Sequence, residues 1–267
     1  VYDIAFKNST KAYVVDNAYS DNPSSLYDVN LTEPYNVSSI VVNKEYNMDS
    51  YVDSLESIYY SDVNDSIFLL DDLASNVSKF VIDDTGTLQF KDEIHIDYAE
   101  NSITFNDNGT KMDVFVNYDP GYNIESYELT TPFDISTASY TGTSIDLGYF
   151  SHDFEYNNDG SKFVVKGNVL LDYDSNLEVF NLTTPYDLTT LERDYVYTGI
   201  SEIIGFEYAD AGKKFYTINS DSNSIDKYLI SDLLYDETDV SDGQDVSYMW
   251  SGLDYGTTYN WFAETED

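Results

Sequence analysis

Short runs in which apolar and polar residues alternate recur along the whole chain, as in Ile103 and Phe105 of SITFN and in Met112, Val114 and Val116 of MDVFVN. A period of two is the signature of a half-buried strand. No segment carries sustained helical periodicity with caps, so the pattern predicts an almost entirely β protein. The strands come in pairs joined by a polar turn: IAFKNSTKAYVV from Ile4, ITFNDNGTKMDVFV from Ile103, FEYNNDGSKFVV from Phe154 and FEYADAGKKFYTI from Phe206. A degenerate copy, IYYSDVNDSIFLL from Ile58, fills the gap between the first two. The aromatic before each turn falls at Phe6, Tyr60, Phe105, Tyr156 and Tyr208, at spacings of 54, 45, 51 and 52 residues. Repeats of this length are expected of propeller blades.

A second phrase follows three of these pairs, VNLTEPYNVSS from Val29, YELTTPFDIST from Tyr127 and VFNLTTPYDLTT from Val179. Proline presets φ and cannot donate to a ladder, which places Pro34, Pro132 and Pro185 between strands. Asn108 and Gly109 tolerate the positive φ of a tight hairpin. Each unit then contains four short strands, the unit from Ser102 reading SITFN, MDVFVN, IESYELT and roughly SYTGTSI. A sheet of this kind must bury both faces against neighbours, and a closed ring satisfies every one of them. The expected fold is therefore a five-bladed β-propeller of four-stranded antiparallel blades over residues 1–245. A separate β-hairpin is expected over residues 246–267.

The strand, Asp-Gly-Ser/Thr-Lys, strand pattern resembles the YVTN-like propeller repeats of microbial surface proteins and viral tail or fibre proteins. The resemblance covers the five units and implies architecture, not activity. The unit around Asn64, Asp65 and Ser66 departs most from the pattern. The tail, with Gly252-Leu253-Asp254-Tyr255-Gly256 followed by Tyr259, Trp261 and Ala263, resembles one hairpin of a fibronectin type III domain. It is too short for that whole domain. Together with a first residue that is not methionine, it suggests a segment of a longer or processed protein.

Charge narrows the partners. Fifty Asp and Glu stand against 12 Lys and Arg, a net charge of −38, far beyond the ~2 to 8 usual for a small soluble domain. Self-repulsion on that scale calls for screening, so a halophilic or marine setting fits. Nucleic acid is a poor partner, because its binding needs clustered cations. No apolar run reaches the ~20 residues of a membrane span, so no direct membrane insertion is expected. The chain has no cysteine, which excludes disulfides and thiolate metal sites.

The loops after each second strand concentrate acidic and amide side chains. Asp172, Asp174, Asn176 and Glu178 alternate as at the start of a calcium loop, although without its glycine, and Asn117, Asp119, Asn123, Asp221 and Asn223 occupy related loops. Oxygen ligands of this kind suit hard cations, so calcium is the cofactor considered, against the plain alternative that Asp and Asn populate turns. Sequons occur at Asn8, Asn30, Asn36, Asn64, Asn76, Asn108 and Asn181, which become glycosylation sites if the chain is secreted through a glycosylating route. His95 and His152 sit in no metal-binding spacing, and no nucleophile elbow or phosphate loop appears. Asp3, Asp62, Asp153 and Glu207 lie near the first strands, where a two-carboxylate glycosidase would need a pair, or where solvated strand ends would put them. Loop tyrosines such as Tyr19, Tyr118, Tyr122, Tyr173 and Tyr255 offer contact area of the sort binding surfaces use.

These features lead to the expectation of a non-enzymatic interaction module of an extracellular, cell-surface or virion protein. Its partners would be other protein subunits of such an assembly, or cell-surface glycans. A lectin-type propeller is the alternative and a five-bladed glycoside hydrolase the third reading.

Overall fold

The computed structural model describes residues 2–17, 24–118, 121–146, 150–168, 175–197, 203–209, 214–219 and 224–229. The chain runs as β1 (Asp3–Asn8), β2 (Lys11–Asp16), β3 (Ser25–Leu31) and β4 (Ile40–Asn47), then β5 (Leu55–Ser61), β6 (Ser66–Asp71), β7 (Asn76–Ile82) and β8 (Leu88–His95). It continues through β9 (Ala99–Phe105), β10 (Lys111–Tyr118), β11 (Gly121–Leu129) and β12 (Ala138–Asp146), and β13 (Phe150–Tyr156), β14 (Lys162–Asn168), β15 (Ser175–Leu182) and β16 (Leu191–Tyr197). The last described strands are β17 (Ile203–Ala209), β18 (Lys214–Asn219) and β19 (Ser224–Leu229). Each group of four pairs in sequence order as an antiparallel sheet, and β17, β18 and β19 form a three-stranded sheet.

The expected five four-stranded blades are thus realised as four complete blades and a fifth sheet with three strands among the described residues. The first strands lie side by side in the cyclic order β1, β5, β9, β13, β17 and back to β1. The expected hairpin at 246–267 lies outside the described residues.

Hydrophobic cores sit between successive sheets, where two apolar faces meet. Tyr13, Val15 and Leu26 of the first blade pack with Ile58, Ile67 and Leu69 of the second. Phe68 and Leu70 pack with Phe105, Met112 and Val114, and Phe115 and Ile124 with Phe154, Phe163 and Val165. Ile4, Ala12 and Val14 meet Ile218 of the last sheet. Burial between blades, at about 25 cal/mol per Å² of apolar surface, is what favours the ring.

The repeated Leu-Thr-x-Pro phrase has a definite mechanical role. Its aromatic residue, Tyr35, Phe133 or Tyr186, takes φ of 54°, 57° or 60°, a left-handed conformation uncommon for such side chains. The strain is held by backbone bonds to the first hairpin turn of the same blade: Tyr35 N donates to Ser9 O at 2.7 Å, Phe133 N to Gly109 O at 2.8 Å and Tyr186 N to Gly160 O at 3.0 Å. The ring then covers the turn, and a Cβ on Gly109 would lie 2.2 Å from the Phe133 ring. The carbonyls of these aromatics accept from neighbouring blades. Lys79 Nζ donates to Phe133 O at 2.7 Å, Lys111 Nζ to Tyr186 O at 2.5 Å and Tyr216 Oη to Tyr35 O at 2.5 Å. The phrase therefore locks its own turn and joins one sheet to the next.

Candidate active site on the propeller axis

Among the described residues the inner edge of each first strand has no partner strand, so its N–H groups need other acceptors. Aligned on the aromatic before the turn, the residues three positions earlier are Asp3, Ser57, Ser102, Asp153 and Gly205. Those one position earlier are Ala5, Tyr59, Thr104, Glu155 and Glu207. In blades two to four and in the fifth sheet the pairing register shifts close to the first of these positions. A bulge there re-aims the side chains that follow.

Where these positions carry acids, they stitch one first strand to the next. Asp3 Oδ2 accepts from Ile58 N at 2.9 Å and Ser57 Oγ at 3.1 Å, while its Oδ1 accepts from Ile4 N at 2.7 Å. Asp153 Oδ2 accepts from Phe206 N at 2.7 Å, and its Oδ1 from Ser102 Oγ at 2.6 Å and Phe154 N at 2.8 Å. Two residues further on, Glu155 Oε2 accepts from Tyr208 N at 2.8 Å and Glu207 Oε1 from Phe6 N at 3.1 Å. Gly205 serves closure instead, because a Cβ there would stand 2.7 Å from Tyr2 O and only glycine lets the last sheet approach the first.

Asp3, Ser57, Tyr59, Asp153, Glu155 and Glu207 help to line an axial cavity of about 10 Å³, room for about one water. Asp3 and Asp153 are buried, whereas Tyr59, Glu155 and Glu207 remain partly exposed. Burial pushes the Asp153 carboxyl up to about 7, against the pull of hydrogen bonds from Ser102, Phe206 and Phe154 and the charge of Lys166. Burial and then the charge of Asp153 hold Asp3 well above the ordinary carboxylate range. Glu155 is raised by burial and by Glu207, with which it shares a hydrogen bond, and burial pushes Glu207 up to about 8. Two close carboxyls that share a proton can act as acid and base at once.

Asp3, Asp153 and Glu207, anticipated near the first strands, are brought together here, while Asp62 lies in the exposed turn between β5 and β6. Glu155 and Tyr59 were missed, although aligning the repeats residue by residue places both in one layer with Glu207. Glu155 and Glu207 sit within hydrogen-bonding reach of each other, closer than the ~5 to 9.5 Å at which a carboxyl pair flanks a glycosidic bond. That spacing leaves no room for a sugar ring between Glu155 and Glu207.

The loop residues considered for calcium are dispersed. Glu178 is buried and pairs with Arg193 Nη2 at 2.6 Å. Asn117 Nδ2 donates to Glu100 Oε2 at 2.9 Å, Asn123 is buried in β11, and Asn176 lies in β15 opposite Gly167. Asp119, Asp172, Asp174, Asp221 and Asn223 lie outside the described residues. Among the described residues no group of three or more His, Asp or Glu side chains is arranged to hold a metal.

Of the sequon residues, Asn8, Asn30, Asn64 and Asn108 are exposed and Asn36, Asn76 and Asn181 partly buried. Asn8 Oδ1 accepts from Thr10 N at 2.9 Å and Asn108 Oδ1 from Thr110 N at 3.1 Å. The Asn-x-Thr spacing in these hairpins therefore follows from turn geometry.

No protein-family description matches the chain, and no curated protein matches it in sequence. Solved structures do. A Bacteroides uniformis protein provisionally named a 6-phosphogluconolactonase aligns at 14% identity with a TM-score of 0.52, over 85% of this chain and 66% of its own. A Bacteroides fragilis protein with the same provisional name aligns at 9% identity and a TM-score of 0.54, over 86% and 80%. A chain of a nidogen/laminin complex aligns at 14% identity and a TM-score of 0.56, over 85% and 75%. This chain spans just under two thirds of the first of these proteins. At such identities the likeness establishes the propeller fold alone, and the narrower YVTN-like assignment gains no support.

The expectation of a non-enzymatic surface or virion module is corrected. It rested on the absence of catalytic motifs and on a resemblance to surface repeats. The comparisons supply no adhesion or virion role, and lactonase-named proteins share the fold. The axial acids, scattered over more than 200 residues of sequence, could not have formed a linear motif.

Proposed function

We propose that the protein is a hydrolase that opens a small cyclic ester, with Glu155 and Glu207 as its acid and base. The observation that carries this reading is the hydrogen-bonded, partly exposed glutamate pair beside a cavity of one-water size. The cavity takes the attacking water, and the ester lies against the exposed side of the pair. The lactonase names of two fold neighbours supply the substrate class. Ionised Glu207 takes a proton from water as the water oxygen bonds to the ester carbonyl carbon. The bond from that carbon to the ring oxygen then breaks, and protonated Glu155 gives its proton to the departing alkoxide. One hydroxy acid results, and a proton passing between the two carboxyls resets the pair.

An uncharged lactone suits this site better than a phosphorylated one. Among the described residues no Lys or Arg lines the cavity, and the chain carries a net charge of −38, so an anion is repelled. The same reading takes the ring as five-bladed.

The test is hydrolysis of gluconolactone and of 6-phosphogluconolactone in a pH-stat, with the spontaneous rate subtracted. Turnover of the neutral lactone should rise with pH toward about 8 as Glu207 ionises, and Glu207→Gln should lower kcat/KM by about 100-fold or more. Rates no greater than the spontaneous reaction, or a fully active Glu207→Gln variant, would sink the proposal.

A further inference from the structure

We infer that the Tyr59 hydroxyl is the donor that holds the ester carbonyl oxygen while water adds, an inference that rests on the hydrolase reading. Tyr59 occupies in the second blade the layer that Glu155 and Glu207 occupy in the fourth blade and the fifth sheet, and it lines the same cavity. Its ring is fixed from the side by Phe105 at 4.9 Å and Phe68 at 6.2 Å between centroids. The hydroxyl is thus carried on a rigid element.

Several other tyrosines of the blades spend their hydroxyls within the protein. Tyr60 Oη donates to Asp65 at 2.8 Å, Tyr156 Oη to Asp113 at 2.7 Å and Tyr186 Oη to Asn158 O at 3.0 Å. Tyr59 has no such partner among the described residues, and the residue is partly exposed. A donor on a rigid ring that lines the same cavity as a pair of carboxyls but is bonded to neither is the arrangement that stabilises charge developing on an oxygen. Burial and the charges of Glu155 and Glu207 hold its proton in place, so it stays a donor across the pH range in which the glutamates titrate.

Tyr59→Phe preserves the ring and removes only the hydroxyl. The measurement is steady-state hydrolysis of gluconolactone by the full chain, with thermal melting of both proteins alongside. The expected result is a fall in kcat of about 100-fold or more at nearly unchanged KM, the same pH profile and the same melting temperature. A variant that turns over at the wild-type rate, or that raises KM alone, would overturn the inference while leaving the hydrolase reading intact. A fall in kcat that tracks a lowered melting temperature would assign Tyr59 a packing role and also overturn it. No turnover by the wild-type protein would remove both.

Discussion

Raising the pH from 5 to 8 should destabilise the ring, and Asp153→Asn should reduce that response by the share Asp153 carries. Asp153 is buried at the axis, with Ser102, Phe154 and Phe206 donating to it, Lys166 nearby, and Asp3 among its acidic neighbours. Its carboxyl rises from 3.8 to about 7 on folding, so the folded chain keeps a proton that the unfolded chain releases. The stabilisation is complete below the unfolded value and is lost as pH climbs to the folded one. Starting from pH 5, about two pH units remain below the folded value, and at ~1.4 kcal/mol each they carry on the order of 3 kcal/mol. At ~2 to 4 °C per kcal/mol for a chain of this size, the melting temperature should fall by roughly 6 to 12 °C from this residue alone. The assay is thermal unfolding at fixed ionic strength, because general repulsion among surface carboxylates also changes with pH. The amide introduced by Asp153→Asn keeps an acceptor oxygen and cannot ionise, so the variant reports the difference. Equal pH slopes for the two proteins would refute the reasoning.

Two further outcomes concern the ring. Gly205→Ala brings a Cβ to within 2.7 Å of Tyr2 O, so it should lower the urea midpoint by an amount corresponding to about 1 to 3 kcal/mol, and an unchanged midpoint would mean that the first and last sheets do not meet this tightly. Raising NaCl from 0.1 to 1 M shortens the screening length from ~10 to ~3 Å, so a chain of net charge −38 should melt at a higher temperature in the stronger salt. A lower one would argue against self-repulsion as a major destabilising term.

Much of the fold was legible because it is local. The alternation of Met112, Val114 and Val116, the glycines at 109 and 160, and the prolines at 34, 132 and 185 act within a few residues of themselves, and repetition multiplies each signal. The second unit departs most from the repeat, at Asn64, Asp65 and Ser66, yet it forms a complete four-stranded sheet in which Asp65 itself adopts φ of 52°. A residue other than glycine takes the left-handed conformation when the sheets on either side hold the turn.

The sequence by itself determined the period, the strands, the turns and the acidic surplus. Ring closure decided which of fifty carboxylates meet. The bond from Phe6 N to Glu207 spans 201 residues, and nothing local marks either end of it. Once the circle closes, the unpaired inner edges require acceptors and adjacent acids share one small cavity. Both the proton affinity and the proposed chemistry of Glu155 and Glu207 follow from that enclosure.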